Sequence, residues 1–163
     1  MSCFWDAILT GLQHLGFRDE LKALNPTRRP VTHARALISL LQHLNRRTTS
    51  VVWNGTILQD REHTAHSAHV RDFEADTRTY DRRLDGYQCS ACDPFLFLVA
   101  EIFRINVEHT IGGVDGKTAK MVYSVGEPRG VLRMTSSSST RDSGHMSFGG
   151  TERYDDGKKD RRK

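Results

Sequence analysis

Cys92-Asp93-Pro94-Phe95-Leu96-Phe97-Leu98-Val99-Ala100-Glu101-Ile102-Phe103-Arg104-Ile105-Asn106-Val107 is the stretch that decides how the chain is built. Asp93 is an N-cap type, because its carboxylate can accept from N–H groups that the first helical turn leaves unpaired. Pro94 suits the first helical position, where no amide donor is required. Residues 95–103 are apolar almost all round, and a helix with no polar face belongs in the centre of its domain. From Ile105 to Ile111 the pattern changes to alternation, which predicts a strand leaving that buried helix.

On the N-terminal side, Phe4, Ile8, Leu9, Leu12 and Leu15 recur at helical spacing, and Gly16 stops the run. The segment 25–30 carries two prolines and is a connector. Thr32 is placed to cap a second helix over 33–45, with Ala34, Leu37, Ile38, Leu41 and Leu44 on one stripe. Residues 51–58 hold β-formers around Asn54-Gly55, a pair that accepts the positive φ angles of a tight hairpin. Residues 59–83 are polar and weakly patterned, which predicts a surface excursion with a short helix near 70–75.

On the C-terminal side, a Gly/Asp turn at 112–116 separates the first strand from further candidates at 120–125 and 130–134. Residues 135–143 form a Ser/Thr-rich loop, and 144–148 a short strand ending at Gly149-Gly150. Helices therefore come first and a mainly antiparallel sheet follows, an α+β arrangement. The expected organisation is one domain over 1–150 and a charged, disordered tail over 151–163.

Composition narrows the function classes. No apolar run is long enough to cross a bilayer, and Asp6 interrupts the apolar start, which lacks a basic leader, so neither a membrane span nor a signal peptide is expected. The net charge of +4 comes with no glycine-aromatic RNA-binding signature, so the excess is read as solvated charge, and nucleic acid is not an expected partner. Three cysteines, an odd number, fit a reducing compartment better than a disulfide framework.

Cys3 stands where the first amphipathic pattern begins. Unpaired N–H groups at a helix start favour an anion, and the thiolate is the attacking form of cysteine. Of the eight histidines, His145 has the setting that a base needs: Gly144 before it allows close approach, and β-compatible residues follow. His63, His66 and His69 fall in the polar excursion, and His14, His33 and His43 on amphipathic helices. Two rivals stay open. Cys89-Ser-Ala-Cys92 could be half of a zinc site completed by His109 or a histidine of 63–69, although a closed structural site wants four ligands and a second close pair is missing. Cys92, beside the Asp93-Pro94 helix start, rivals Cys3 as the reactive thiol, but apolar neighbours would raise its pKa.

Three blocks carry a family resemblance. Ser2-Cys3-Phe4-Trp5-Asp6-Ala7-Ile8 resembles the nucleophile segment of the ovarian-tumour (OTU) cysteine proteases, which are papain-like deubiquitinases. The 92–107 stretch resembles the family's buried helix with its following core strand, and Ser143-Gly144-His145-Met146-Ser147-Phe148 is similar to its catalytic-histidine strand. The resemblance implies Cys3 as nucleophile with its backbone N–H in the oxyanion hole, His145 as base, and Ser147 where the family often has Asn or Asp to orient the imidazole. Gly144 and Met146 would then touch substrate. It implies cleavage after a C-terminal Gly-Gly of ubiquitin or a ubiquitin-like modifier, or at a viral polyprotein junction, without metal or cofactor, in a host cytoplasm. Only Met1 and Ser2 stand where many members carry an Asp-Gly pair, and Met146 replaces the usual aromatic, features nearer to viral OTU-like proteases. The competing class is a catalytically weak OTU-like module that binds ubiquitin or RNA.

Overall fold

The computed structural model describes residues 3–74, 89–112, 117–137 and 146–154, with Cys3 and Ser137 described by backbone alone. Among the described residues, five helices precede or lead into a five-stranded mixed sheet. In order they are α1 (Cys3–His14), α2 (Arg18–Leu24), α3 (Ala34–His43), β1 (Val52–Trp53), α4 (Asp60–Asp72), α5 (Pro94–Phe103), β2 (Asn106–Gly112), β3 (Thr118–Ser124), β4 (Gly130–Ser137) and β5 (Met146–Arg153).

The central helix forms as its sequence dictates. Asp93 Oδ1 accepts from Phe95 N at 2.9 Å, Pro94 occupies the first turn, and Pro94 through Ala100 and Phe103 are buried. Arg104 closes the helix in the left-handed region (φ 53°) and turns the chain into β2. Trp5, Phe73 and Phe95 meet edge-on or tilted, with ring centroids 4.8–5.6 Å apart, so the first turn of α1 packs on the first turn of α5.

The sheet order is β1-β3-β2-β4-β5. All neighbours are antiparallel except β2 and β4, which are parallel, with Asn106 opposite Val131 and Gly112 opposite Ser137. The sheet is thus mainly antiparallel, as expected, with one parallel pairing. Val107 and His109 of β2, Leu132 and Met134 of β4 and Met146 of β5 are buried on the face that α1 and α5 cover. The other face is polar: Glu108 pairs with Lys120 at 3.2 Å and Arg133 at 3.3 Å, and Arg133 reaches Glu152 at 3.6 Å.

Several expectations need correction. The second helix is capped by His33, whose Nδ1 accepts from Ala36 N, because Thr32 lies one residue too early. The polar segment after the hairpin forms the thirteen-residue α4, not a short helix near 70–75. A capping box between Gln59 and Glu62 starts it, and buried His63 and Val70 supply the inner face that hydrophobicity alone did not reveal. Residues 18–24 form α2, a helix anchored by Leu21 that was not anticipated. The Asn54-Gly55 turn is present with positive φ at both residues, but its return arm stops at a single bridge from Trp53 to Thr56, and β1 pairs with β3 instead. β4 continues through Ser137, into the expected loop. β5 likewise absorbs Gly149-Gly150, where a register shift opposite Arg133 and Met134 uses the φ of 115° at Gly150, and it reaches Arg153 inside the expected tail. Residues 75–88, 113–116, 138–145 and 155–163, with the remaining expectations for them, lie outside the described residues.

Gly130 supports a direct test of this packing. A Cβ there would lie 2.6 Å from the Glu152 backbone oxygen and 2.9 Å from a Leu15 methyl. The strand pair would have to part, so Gly130→Ala should lower the unfolding free energy by about 1–3 kcal/mol. A shifted urea midpoint at constant slope would show it; an unchanged midpoint would contradict the packing of α1 on β4.

Candidate thiol site at one end of the sheet

Contacts along α1 fix its direction. Gly11 lies so close to Leu132 that any Cβ would strike that side chain, and one turn later Leu15 touches the Gly130–Arg153 pair. Arg153 also donates to the Leu15 carbonyl. Moving towards the start of α1 therefore means moving from Gly130 towards Ser136 on β4. Because β5 is antiparallel to β4, α1 and β5 run the same way. Their first residues, Cys3 and Met146, belong to the same end of the molecule.

The same end gathers other starts and stops. α5 begins there, held to α1 through Trp5 and Phe95. β2 runs back along α5 and ends there, as does β4, which is parallel to it. The turn Cys89-Ser-Ala-Cys92 enters α5 at this end and is fixed by polar bonds. Asp93, 0% exposed, accepts from Ser90 N at 3.1 Å, and Tyr123 Oη accepts from Asp93 N at 2.9 Å while donating to Ala91 O at 3.1 Å. Trp53 Nε1 donates to the same carbonyl at 3.0 Å.

Of the expected site residues, Cys3 starts α1, which is where its backbone N–H would have to be to stabilise an anion. Gly144 and His145 lie outside the described residues; His145 is the residue immediately before β5. Ser147 is exposed and sits opposite Thr135, on the other face of β5 from Met146. Met146, expected to touch substrate, is only 3% exposed and is a core residue.

Each remaining thiol faces an imidazole. Cys89 Sγ lies 3.7 Å from His109 Nδ1, and His109 Nε2 lies 2.7 Å from Ser136 Oγ. Cys92 Sγ lies 4.0 Å from His66 Nε2. From sequence His109 was weighed only as a zinc ligand beside Cys89 and Cys92, and the thiol–imidazole–hydroxyl chain that it makes with Cys89 and Ser136 was not foreseen. Its geometry resembles a nucleophile with its base, but its electrostatics do not. Burial, then the Asp93 carboxylate, push the Cys89 thiol far up, and burial lowers the pKa of His109. A proton shared by such groups stays on sulfur, which disfavours the thiolate. Cys92 is pushed up to about 11 by burial and by Glu62 and Asp93. The two cysteines of the pair point to different partners, and among the described residues no three His, Cys, Asp or Glu side chains are grouped to hold a metal.

No helix among the described residues is long and apolar enough to cross a membrane. Compared with known proteins, the chain matches no family model, no curated protein and no solved structure. The site therefore rests on its own residues.

Proposed function

We propose that the chain is a thiol hydrolase of the OTU type, acting on the bond after a C-terminal Gly-Gly of ubiquitin or a ubiquitin-like modifier. The observation that supports this most is the common direction of α1 and β5, which brings the helix start bearing Cys3 and the strand start following His145 to one end. Cys3 thiolate attacks the glycine carbonyl carbon, and the oxyanion is met by the Cys3 backbone N–H. Collapse breaks the C–N bond, and His145 gives its proton to the departing lysine amine. Water, losing a proton to His145, then attacks the thioester and releases the carboxylate and the thiol. A viral polyprotein junction with small residues before the cut would serve the same chemistry, and a host cytoplasm would supply the reducing conditions that a free thiol needs.

The exposed Ser147 favours a weaker second reading, a module that binds ubiquitin or RNA without cleaving, because a solvated hydroxyl orients an imidazole poorly. Ubiquitin carrying a C-terminal electrophile separates the two. The wild-type chain and Cys89→Ala should form a covalent adduct, mass spectrometry should locate it on Cys3, and Cys3→Ala should form none. Absence of labelling, or an adduct on Cys89 or Cys92, would overturn the assignment.

A further inference from the structure

α4 turns two histidines inward onto a small polar cavity. The cavity measures about 10 Å³ and is lined by His63, His66 and Ser67 of α4, Asn45 and Arg46 after α3, and Leu98 of α5, among others. His63 is 4% exposed. The Nδ1 atoms of both His63 and His66 are buried and have no hydrogen-bond partner. The His66 ring also packs edge-on against Phe97 at 5.0 Å, and its Nε2 faces Cys92. A space of this size holds about one water molecule, enough for a neutral imidazole but not for the hydration shell of a cation.

From this geometry we propose that His63 and His66 form an acid-sensitive latch that holds α4 against α3 and α5 at neutral pH and releases it on acidification. The charges around the cavity act in both directions on His66, and burial is the largest influence. Arg46 lines it from the loop after α3. The turn before α5 contributes Cys92, a thiol neutral at neutral pH. On α4 itself His69 adds a further proton acceptor of the same type, and the one carboxylate acting on His66, Glu62, accepts from Gln59 N at 2.7 Å at the helix start. Asp93 is committed to Ser90 and Phe95. A proton added to His66 thus sets a cation in a buried site beside the His63 and His69 imidazoles, with Glu62 opposing them in part.

Other contacts also hold α4: Arg47 pairs with Asp60 at 2.6 Å, the His69 ring meets Phe95 at 5.8 Å and Val70 is buried. Asn45 donates to Ser67 O at 2.9 Å, and Gln42 donates to Val70 O at 3.1 Å and Phe73 O at 2.6 Å. Burial, then His63, lower the pKa of His66. A lowered folded-state value means that the stabilisation is complete above the ordinary histidine range and is lost as pH falls through the folded value. Within that window each pH unit weakens the hold through His66 by up to about tenfold.

Amide hydrogen exchange by mass spectrometry, corrected for intrinsic pH dependence, tests this. Between pH 7.5 and 5.5 the α4 amides should lose protection several-fold more than those of β2, which carries the separate buried His109. The double variant His63→Gln, His66→Phe should remove most of that difference while keeping ring packing on Phe97. Equal acid loosening of α4 and β2, or acid loosening retained in the variant, would overturn the latch. Should the variant not fold, the imidazole NMR shifts of the wild type decide: titration of the His66 ring below the ordinary histidine range supports the latch, and titration within it rejects it.

Discussion

Asp93→Ala is expected to lower the unfolding free energy by roughly 2–4 kcal/mol, the largest loss foreseen for a single polar side chain here. Losing an N-cap costs about 1–2 kcal/mol when water can take over the orphan donor. Water has little access here, since Asp93 is wholly buried and Pro94 through Ala100 behind it are buried too. Phe95 N–H would then be left without a partner in the core, adding about 1–3 kcal/mol in place of the milder solvated penalty. Ser90 N–H loses its acceptor too, but Ser90 is exposed and recovers part of the bond from solvent. Asp93→Asn keeps a carbonyl oxygen for Phe95 and should cost only about 1–2 kcal/mol. Urea midpoints for the two variants give the comparison; an alanine variant as stable as the asparagine one would mean that the cap does not anchor α5.

That cap was legible in the sequence because it rests on local chemistry. Asp93-Pro94 before an apolar run can do little else than start a buried helix, and Ile105–Ile111 alternates because one face must enter the core. The amphipathic spacing of α1 was readable for the same reason. What escaped was set by partners distant in sequence. α4 carries few apolar residues, and its inner face is recognisable only once α3 and α5 supply a surface for His63 and Val70. The parallel pairing of β2 with β4 is invisible locally, since alternation does not say which strand lies alongside. β5 passes through Gly149-Gly150 because a bulge opposite Arg133 accommodates them, whereas two glycines in isolation read as a stop. At the candidate site, the helix start at Cys3 was legible, whereas His145 lies outside the described residues. The His109–Ser136 bond was not legible, because it joins strands that only the parallel crossover makes neighbours.

His145→Ala carries the largest expected effect on activity, a fall of about 10²–10⁴ in turnover of a ubiquitin substrate. Two losses combine. Under the proposed mechanism the thiol would lose the base that holds it as thiolate, and the leaving amine its proton donor. The first has a signature that simple misfolding does not give. In the wild type, alkylation of Cys3 by a small haloacetamide should persist well below the ordinary thiol range, because helix start and imidazolium both favour the anion. In His145→Ala the helix start remains, so the profile should shift upward only part of the way towards that range while the urea midpoint stays put. Ser147→Ala should cost no more than about tenfold, one step of 1.4 kcal/mol, because an exposed hydroxyl exerts little hold on a ring. Cys89 provides the internal control: its thiol, pushed up by burial and Asp93, should resist the reagent in both proteins. An identical Cys3 profile with and without His145 would mean that the imidazole does not act on the sulfur. The shared end of α1 and β5 would then be a feature of packing alone.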